Sequence, residues 1–365
     1  MLRRKRFQAP PPRTIVPISY DDLFYGHTKA HFVIADLPEE RTKIRAIEDD
    51  NRNRQSCVFK IPILAADGGA SCSTAPHQAG RGGARARRTG ITGRSTRMSS
   101  KRIAIAGLGA IGRTVARKLA DGLPGLTLSG IATRDQEKAQ AWLDREGISC
   151  PLILLDDVPA HAELVLECAP AAILDQICRP MLNAGKEVMV LSASALLPRP
   201  DLVDLARARG GQIIVPTGAL IGFDAVSAAA EGTISNVQMV TRKPPGGLAG
   251  APYLIANGIS LDGLNSALCV FKGSARDAAA AFPANVNVVA ALSLAGIGPD
   301  RTSIEIWADP AVTRNCHQIW VESDSACFTM SIENIPSENP RTGRITALSV
   351  IAALRKLTSP LRIGT

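Results

Sequence analysis

Residues 103–112 read IAIAGLGAIG, and no other stretch constrains the fold as tightly. The apolar run Ile103 to Ala106 ends in Gly107, Gly109 and Gly112, and a helix-competent segment, 113–119, follows at once. A buried strand that turns on glycine straight into a helix is the setting of a dinucleotide fingerprint. Gly107 permits the tight turn, Gly109 lets backbone approach a diphosphate, and Gly112 lets helix and strand pack closely. Ala110 and Ile111 then sit where the unpaired N–H groups of the helix start face an anion. Without that setting the same glycines make an ordinary strand-to-helix turn.

The 365 residues suffice for two domains with substantial cores, and their charge is unevenly placed. Residues 1–100 carry 18 Lys/Arg against 9 Asp/Glu, whereas 101–365 carry 24 of each. The formal charge of +9 therefore belongs to the first hundred residues, and the neutral remainder argues against nucleic acid as a partner. The eight cysteines show no CxxC pair and no Cys/His ligand spacing, so no metal site is expected, and their scatter suits a reducing cytoplasm. No apolar run reaches the ~18–20 residues of a membrane span. The opening Arg3-Arg4-Lys5-Arg6 precedes no apolar stretch, so a secretory signal is not supported.

Residues 78–97 hold Arg81, Arg85, Arg87, Arg88, Arg94 and Arg97 among Gly, Ala, Ser and Thr, a composition that buries too little apolar surface to offset chain entropy. Met98 stands five residues before the fingerprint strand. The expectation is that the protein proper starts at Met98 and that 1–97 is a disordered extension or upstream sequence read in error. An Arg/Ser-rich targeting extension is the alternative, against which the acidic residues of 36–50 count.

From 98 to 217, apolar runs at 126–133, 164–169, 187–191 and 212–215 alternate with helix-forming segments at 136–146, 173–184 and 202–209. That alternation predicts a doubly wound, Rossmann-type parallel sheet with ligands at the carboxyl ends of its strands, beside Ala169 and Ser192. The 2′ position of a ribose is expected at Thr133-Arg134-Asp135, about 20 residues past the last glycine. Arg134 suits a 2′-phosphate and Asp135 a 2′-hydroxyl, so NAD and NADP both stay open. From 218 to 340 the period changes: strands are expected at 237–242, 304–308, 317–321 and 327–332, with helices at 277–282 and 286–295. This reads as an α+β domain with a mostly antiparallel sheet. A last helix at 344–356, within 341–365, is expected to return to the dinucleotide domain.

After residue 100 the only histidines are His161, in a polar segment, and His317. A lone histidine in a strand-entry position such as that of His317 is more often structural than catalytic. Arg242 and Lys243, in TRKPP at 241–245, are either anion partners or solvated residues at a strand end.

The body from about Arg102 to about Leu357 resembles the L-aspartate dehydrogenase family. The resemblance is carried by GLGAIG at 107–112, TGALIGFDA at 217–225, TRKPP at 241–245 and FPANVNVVA at 282–290. ADP at 308–310, NCH at 315–317 and PSENPRT at 336–342 complete it. It implies NAD(P)-dependent dehydrogenation of L-aspartate to iminoaspartate, then oxaloacetate and ammonia, with the imine available to NAD biosynthesis, and it implies a homodimer. His317 matches the family's catalytic histidine, and Ile221 and Asn287 match cofactor-contacting positions. Ile221 is bulkier than the small residue common there. A histidine with a pKa near ~6.5 suits both proton acceptance from the ammonium and activation of water for imine hydrolysis. For the two carboxylates of aspartate, Lys243 is the first candidate, with Arg242, Ser192, Thr217 and Asn315 beside it. PSENPRT reads as a rigid turn before the last helix. A homoserine dehydrogenase or dihydrodipicolinate reductase type of activity, or a non-catalytic NAD(P)-sensing protein, are the alternatives.

Overall fold

The computed structural model describes residues 100–283, 285–337 and 343–364. The expectations for 1–97, and for most of the turn at 336–342, lie outside the described residues.

The fingerprint strand β1 (Lys101–Ala106) has Ile103 to Ala106 buried, because both faces of a parallel strand are covered. Helix α1 (Ala110–Ala120) buries Gly112, Val115, Ala116 and Leu119, one stripe at helical spacing. Next come β2 (Leu126–Ala132), α2 (Gln136–Glu146), β3 (Leu152–Ile153), α3 (Val158–His161) and β4 (Leu164–Glu167). The domain continues through α4 (Leu174–Asn183), β5 (Glu187–Val190), α5 (Ala193–Leu196), α6 (Pro200–Arg209) and β6 (Gln212–Ile214). Every neighbouring pair of strands in this sheet is parallel, and the order is β3-β2-β1-β4-β5-β6. The chain reverses its direction across the sheet between β1 and β4, so their following loops diverge and open a crevice. Ala104 and Val165 feed the core beneath α4, while Ile103, Ile105 and Leu164 feed the opposite core with Val115 and Trp142.

The second domain runs through α7 (Phe223–Ala230), β7 (Ile234–Lys243), α8 (Pro252–Ala256), β8 (Leu268–Ser274) and α9 (Ala275–Ala281). Then follow α10 (Asn287–Ala295), β9 (Thr302–Ala308), β10 (Asn315–Ser323) and β11 (Cys327–Asn334). The sheet order is β11-β10-β7-β9-β8, antiparallel throughout except for β7 beside β9. Val226 of α7 and Val289 and Leu292 of α10 pack on Val237, Met239, Ile304 and Ile319 of the sheet. The last helix, α11 (Arg344–Thr358), places Val350 and Leu354 in the core of the first domain with Ile103 and Val115, and Thr358 Oγ1 donates to Pro124 O at 2.8 Å. The expected strands and helices are present. The sequence pattern marks no element at β3, α5, α7, α8 or β8; β8 mixes Lys272 and Gly273 into its apolar run, and its Phe271 packs with Tyr253 and Phe282.

Candidate active site

The glycine turn has the geometry its residue types demand. Gly107 has φ +99, and a Cβ there would lie 2.5 Å from Cys168 O. A Cβ on Gly112 would collide with the Gly107 carbonyl, so helix and strand meet too closely for any side chain. Around Gly109 there is open space, and its residue serves as N-cap of α1 without a side-chain cap. The first N–H groups of α1 are thus left for an external acceptor, and no acidic residue occupies the first turn. These residues fit a dinucleotide diphosphate.

Beside the turn lies a cleft of about 310 Å³ between the carboxyl ends of the first sheet and one face of the second. Ile111, Ala169, Ser192 and Thr217 line it from the first domain, and Lys243, Asn287, Asn315 and His317 from the second. Loops and strand ends separated by more than 200 residues thereby share one space.

His317 stands on β10 directly opposite Thr241 of β7, and its Nδ1 lies 3.1 Å from Thr241 Oγ1. That contact orients the ring, leaving Nε2 as the second nitrogen. The ring is 2 % exposed. Burial, with the Lys243 ammonium nearby, pushes its pKa down to about 3, not the ~6.5 expected of a freely solvated ring. The imidazole is accordingly neutral near pH 7.

Lys243 ends β7 on the same face, two residues from Thr241, and is 5 % exposed. Its Nζ donates to Asn285 O at 3.0 Å and Asn285 Oδ1 at 3.4 Å, both neutral oxygens. Burial lowers its pKa to about 8, so it is mainly charged at neutral pH. A buried ammonium held only by neutral oxygens among the described residues is a site prepared for an anion.

Arg242, expected beside Lys243, does not join the cleft. Adjacent strand residues face opposite ways, so the backbone that aims Lys243 into the cleft turns Arg242 out of it. Arg242 instead donates to Asp309 Oδ2 at 3.1 Å and stacks over Trp307, 4.9 Å from the ring centre, and it does not line the cleft. Ile221 is half-buried before α7 and also lies outside the lining. Gly109, Ala110, Ile111 and Arg134 border a second, contiguous cleft at the amino end of α1. His161 is exposed on α3.

Sequence reasoning missed Glu167. This carboxylate ends β4 with no exposed surface and lines the cleft. Its Oε2 accepts from Leu191 N at 3.0 Å and Ser192 N at 2.9 Å, and its Oε1 from Ser192 Oγ at 3.1 Å. Burial raises its pKa, while the Ser192, Leu191 and Ala169 donors pull it back. It ties the end of β4 to the turn after β5 and so sets the cleft wall. The signal was available, since a glutamate closing the apolar run 164–166 at a strand's carboxyl end needs a partner. Thr241 and Asn285 were missed as well, because neither carries distinctive chemistry alone.

A Rossmann-type domain with an open diphosphate turn, facing a second domain that supplies a buried imidazole and a buried cation, defines a pyridine-nucleotide-dependent oxidoreductase. Residues 107–216 match the family described as homoserine dehydrogenase, NAD binding domain, and residues 224–357 match aspartate dehydrogenase, C-terminal. The chain is 58% identical over 272 residues to an L-aspartate dehydrogenase of Bradyrhizobium diazoefficiens, covering 74% of this chain and 96% of the relative. It is 54% identical over 264 residues to L-aspartate dehydrogenase 3 of Bordetella bronchiseptica, covering 72% and 97%. Among solved structures, aspartate dehydrogenase from Thermotoga maritima superposes with a TM-score of 0.56 at 25% identity, over 72% of this chain and 99% of the other. The chain belongs to the L-aspartate dehydrogenase family.

Proposed function

We propose that this chain oxidises L-aspartate at its amino-bearing carbon, forming iminoaspartate that hydrolyses to oxaloacetate and ammonia. The observation that carries the reading is the pair formed by neutral His317 and charged Lys243 on one buried sheet face, opposite the carboxyl ends of a dinucleotide domain. NAD or NADP, when bound, supplies the hydride acceptor. The residues that would hold it are Gly107 to Gly112 at the diphosphate, with Ala169 and Asn287 nearer the substrate.

His317 takes the proton of the substrate ammonium, which frees the nitrogen lone pair needed for the carbon–hydrogen bond to break. After that proton has passed to solvent, the neutral ring serves again as base for the water that attacks the imine carbon, and the proton it gains goes to the departing amine. Lys243 pairs with one substrate carboxylate, and Ser192, Thr217 and Asn315 offer neutral donors to the other. Removing water from this cleft strengthens each of those contacts. The released imine is suited to a following condensation in NAD biosynthesis.

The working unit in this reading starts at Met98 and comprises the dinucleotide domain 98–217, the substrate domain 218–340 and the returning helix of 341–365. It acts in the cytoplasm as a homodimer; among the described residues no helix is long and apolar enough to cross a membrane. Exposed Leu294 and Leu348 beside the edge strand β6 offer an apolar surface for a second copy.

The test is a spectrophotometric screen for reduced nicotinamide with a panel of amino acids and both cofactors. L-aspartate is expected to stand well above the others; reduction no faster than with the rest of the panel rejects the reading.

A further inference from the structure

The second cleft extends the first past the glycine turn, since Ile111 borders both, and it ends at Thr133-Arg134-Asp135 beyond β2. It is the ribose end of the dinucleotide site, and its charge is one-sided. Arg113, Arg134, Lys138, Arg145 and Arg344 line it, and the one lining acid is Asp135. Arg117 also borders it but is held in a two-point pair with Glu146, at 2.7 and 2.8 Å.

Asp135 is committed elsewhere. Its Oδ1 accepts from Lys138 N at 3.0 Å as the N-cap of α2, which satisfies an otherwise unpaired donor of that helix. Turning the carboxylate toward a ribose hydroxyl would give up that cap. Arg134, one residue earlier, is exposed at the mouth of the cleft. Arg113 lies deeper, with its guanidinium 5.6 Å from the Trp142 ring centre and a buried Nε that has no hydrogen-bond partner among the described residues. Five cations around one acid already in use, with a buried unpartnered donor behind them, make a receptor for a dianion rather than for a neutral diol.

We infer that this chain selects the dinucleotide that carries a 2′-phosphate. Arg134 holds that phosphate, and Arg113 and Lys138 complete its charge. The inference rests on the reading of the glycine turn as a dinucleotide site.

The experiment is calorimetric titration of the full chain with NADPH, NADH, 2′,5′-ADP and 5′-AMP, which reads binding without turnover. NADPH and 2′,5′-ADP are expected to bind at least about tenfold tighter than NADH and 5′-AMP, the gain of one or two charge-assisted contacts. Arg134→Ala should shrink the preference to about threefold or less and leave NADH affinity within about twofold. Because Arg134 is exposed, the variant keeps the fold, and retained NADH binding verifies that. Asp135→Asn, which preserves the cap, should leave NADH affinity unchanged. Equal affinities, a preference for NADH, a preference that survives Arg134→Ala, or loss of NADH binding in Asp135→Asn would each overturn the inference while leaving the dinucleotide site intact. Failure of all four probes to bind would overturn the site itself.

Discussion

The side-chain oxygen of Asn287 accepts from Ser194 twice, from Oγ at 2.6 Å and from N at 3.1 Å. Asn287 heads α10 of the second domain and Ser194 lies in α5 of the first, so one amide links the two walls of the cleft. Ser194 Oγ also donates to Pro283 O at 3.2 Å, which adds a second strand to the same link. Replacing Asn287 by Ala removes the shared acceptor and leaves Ser194 N without a partner, while Ser194 Oγ keeps only Pro283 O. Such losses cost about 1–3 kcal/mol, so cofactor affinity is expected to fall about tenfold, with Asn287→Asp recovering most of it. Titration of both variants with reduced cofactor checks this; an unchanged affinity in Asn287→Ala would remove Asn287 from the cofactor site.

His317→Ala is expected to bind cofactor as the parent does and to lose turnover by about 10²–10⁴, the usual contribution of a positioned base. Thr241→Val removes the partner of Nδ1 and should lower turnover by a smaller factor, about tenfold, without altering cofactor affinity. Steady-state kinetics next to cofactor titration separates the two effects. Turnover near the parent value in His317→Ala would contradict its role as base and favour a sensing protein.

Lys243 makes anion binding sensitive to alkali. Its pKa of about 8 means that its charge, and with it the attraction for a carboxylate, is lost as pH rises through that value. A dicarboxylate without an amine, such as succinate, reports this separately from substrate ionisation. Its inhibition constant should rise roughly tenfold per pH unit well above pH 8, and Lys243→Arg should remove the dependence because a guanidinium stays charged. A flat profile in the parent would exclude Lys243 as the carboxylate partner.

His317 also couples stability to acid. Its folded pKa lies far below that of a solvated histidine, so between the two the unfolded chain binds a proton that the native protein does not. The associated stability is present above pH ~6.5 and is lost as pH falls toward 3. Thermal unfolding from pH 7 to pH 4.5 should show a larger drop for the parent than for His317→Gln. Equal drops would mean that the ring is not buried as described.

A chain beginning at Met98 should match the full chain in turnover and cofactor affinity, because every residue assigned to the site follows that position. Mass spectrometry of the protein from its native source should detect no peptide from 1–97. A substantial loss of activity on shortening, or such peptides, would refute the assignment of Met98 as the start.

Local pattern made most of the architecture legible. The glycine turn, the alternation of apolar runs and helix formers through 217, and the change of period afterwards all follow from rules acting within a few residues. The site was less legible because its chemistry depends on faces and neighbours. Arg242 and Lys243 look interchangeable as strand-end cations, yet one stacks on Trp307 at the outer face and the other enters the cleft. Glu167 reads as the polar end of a strand until Leu191 and Ser192 of the next strand's turn close around it.

By itself the sequence determined a doubly wound dinucleotide domain at Gly107 to Gly112, the α+β domain after it, and the identity of the residues available for chemistry. Tertiary structure alone decided which of them meet, since β10 had to pair with β7 before His317 could face Thr241. It also decided their ionisation. The depressed pKa values of His317 and Lys243 arise from desolvation by elements distant in the chain, a property that no local stretch of residues possesses.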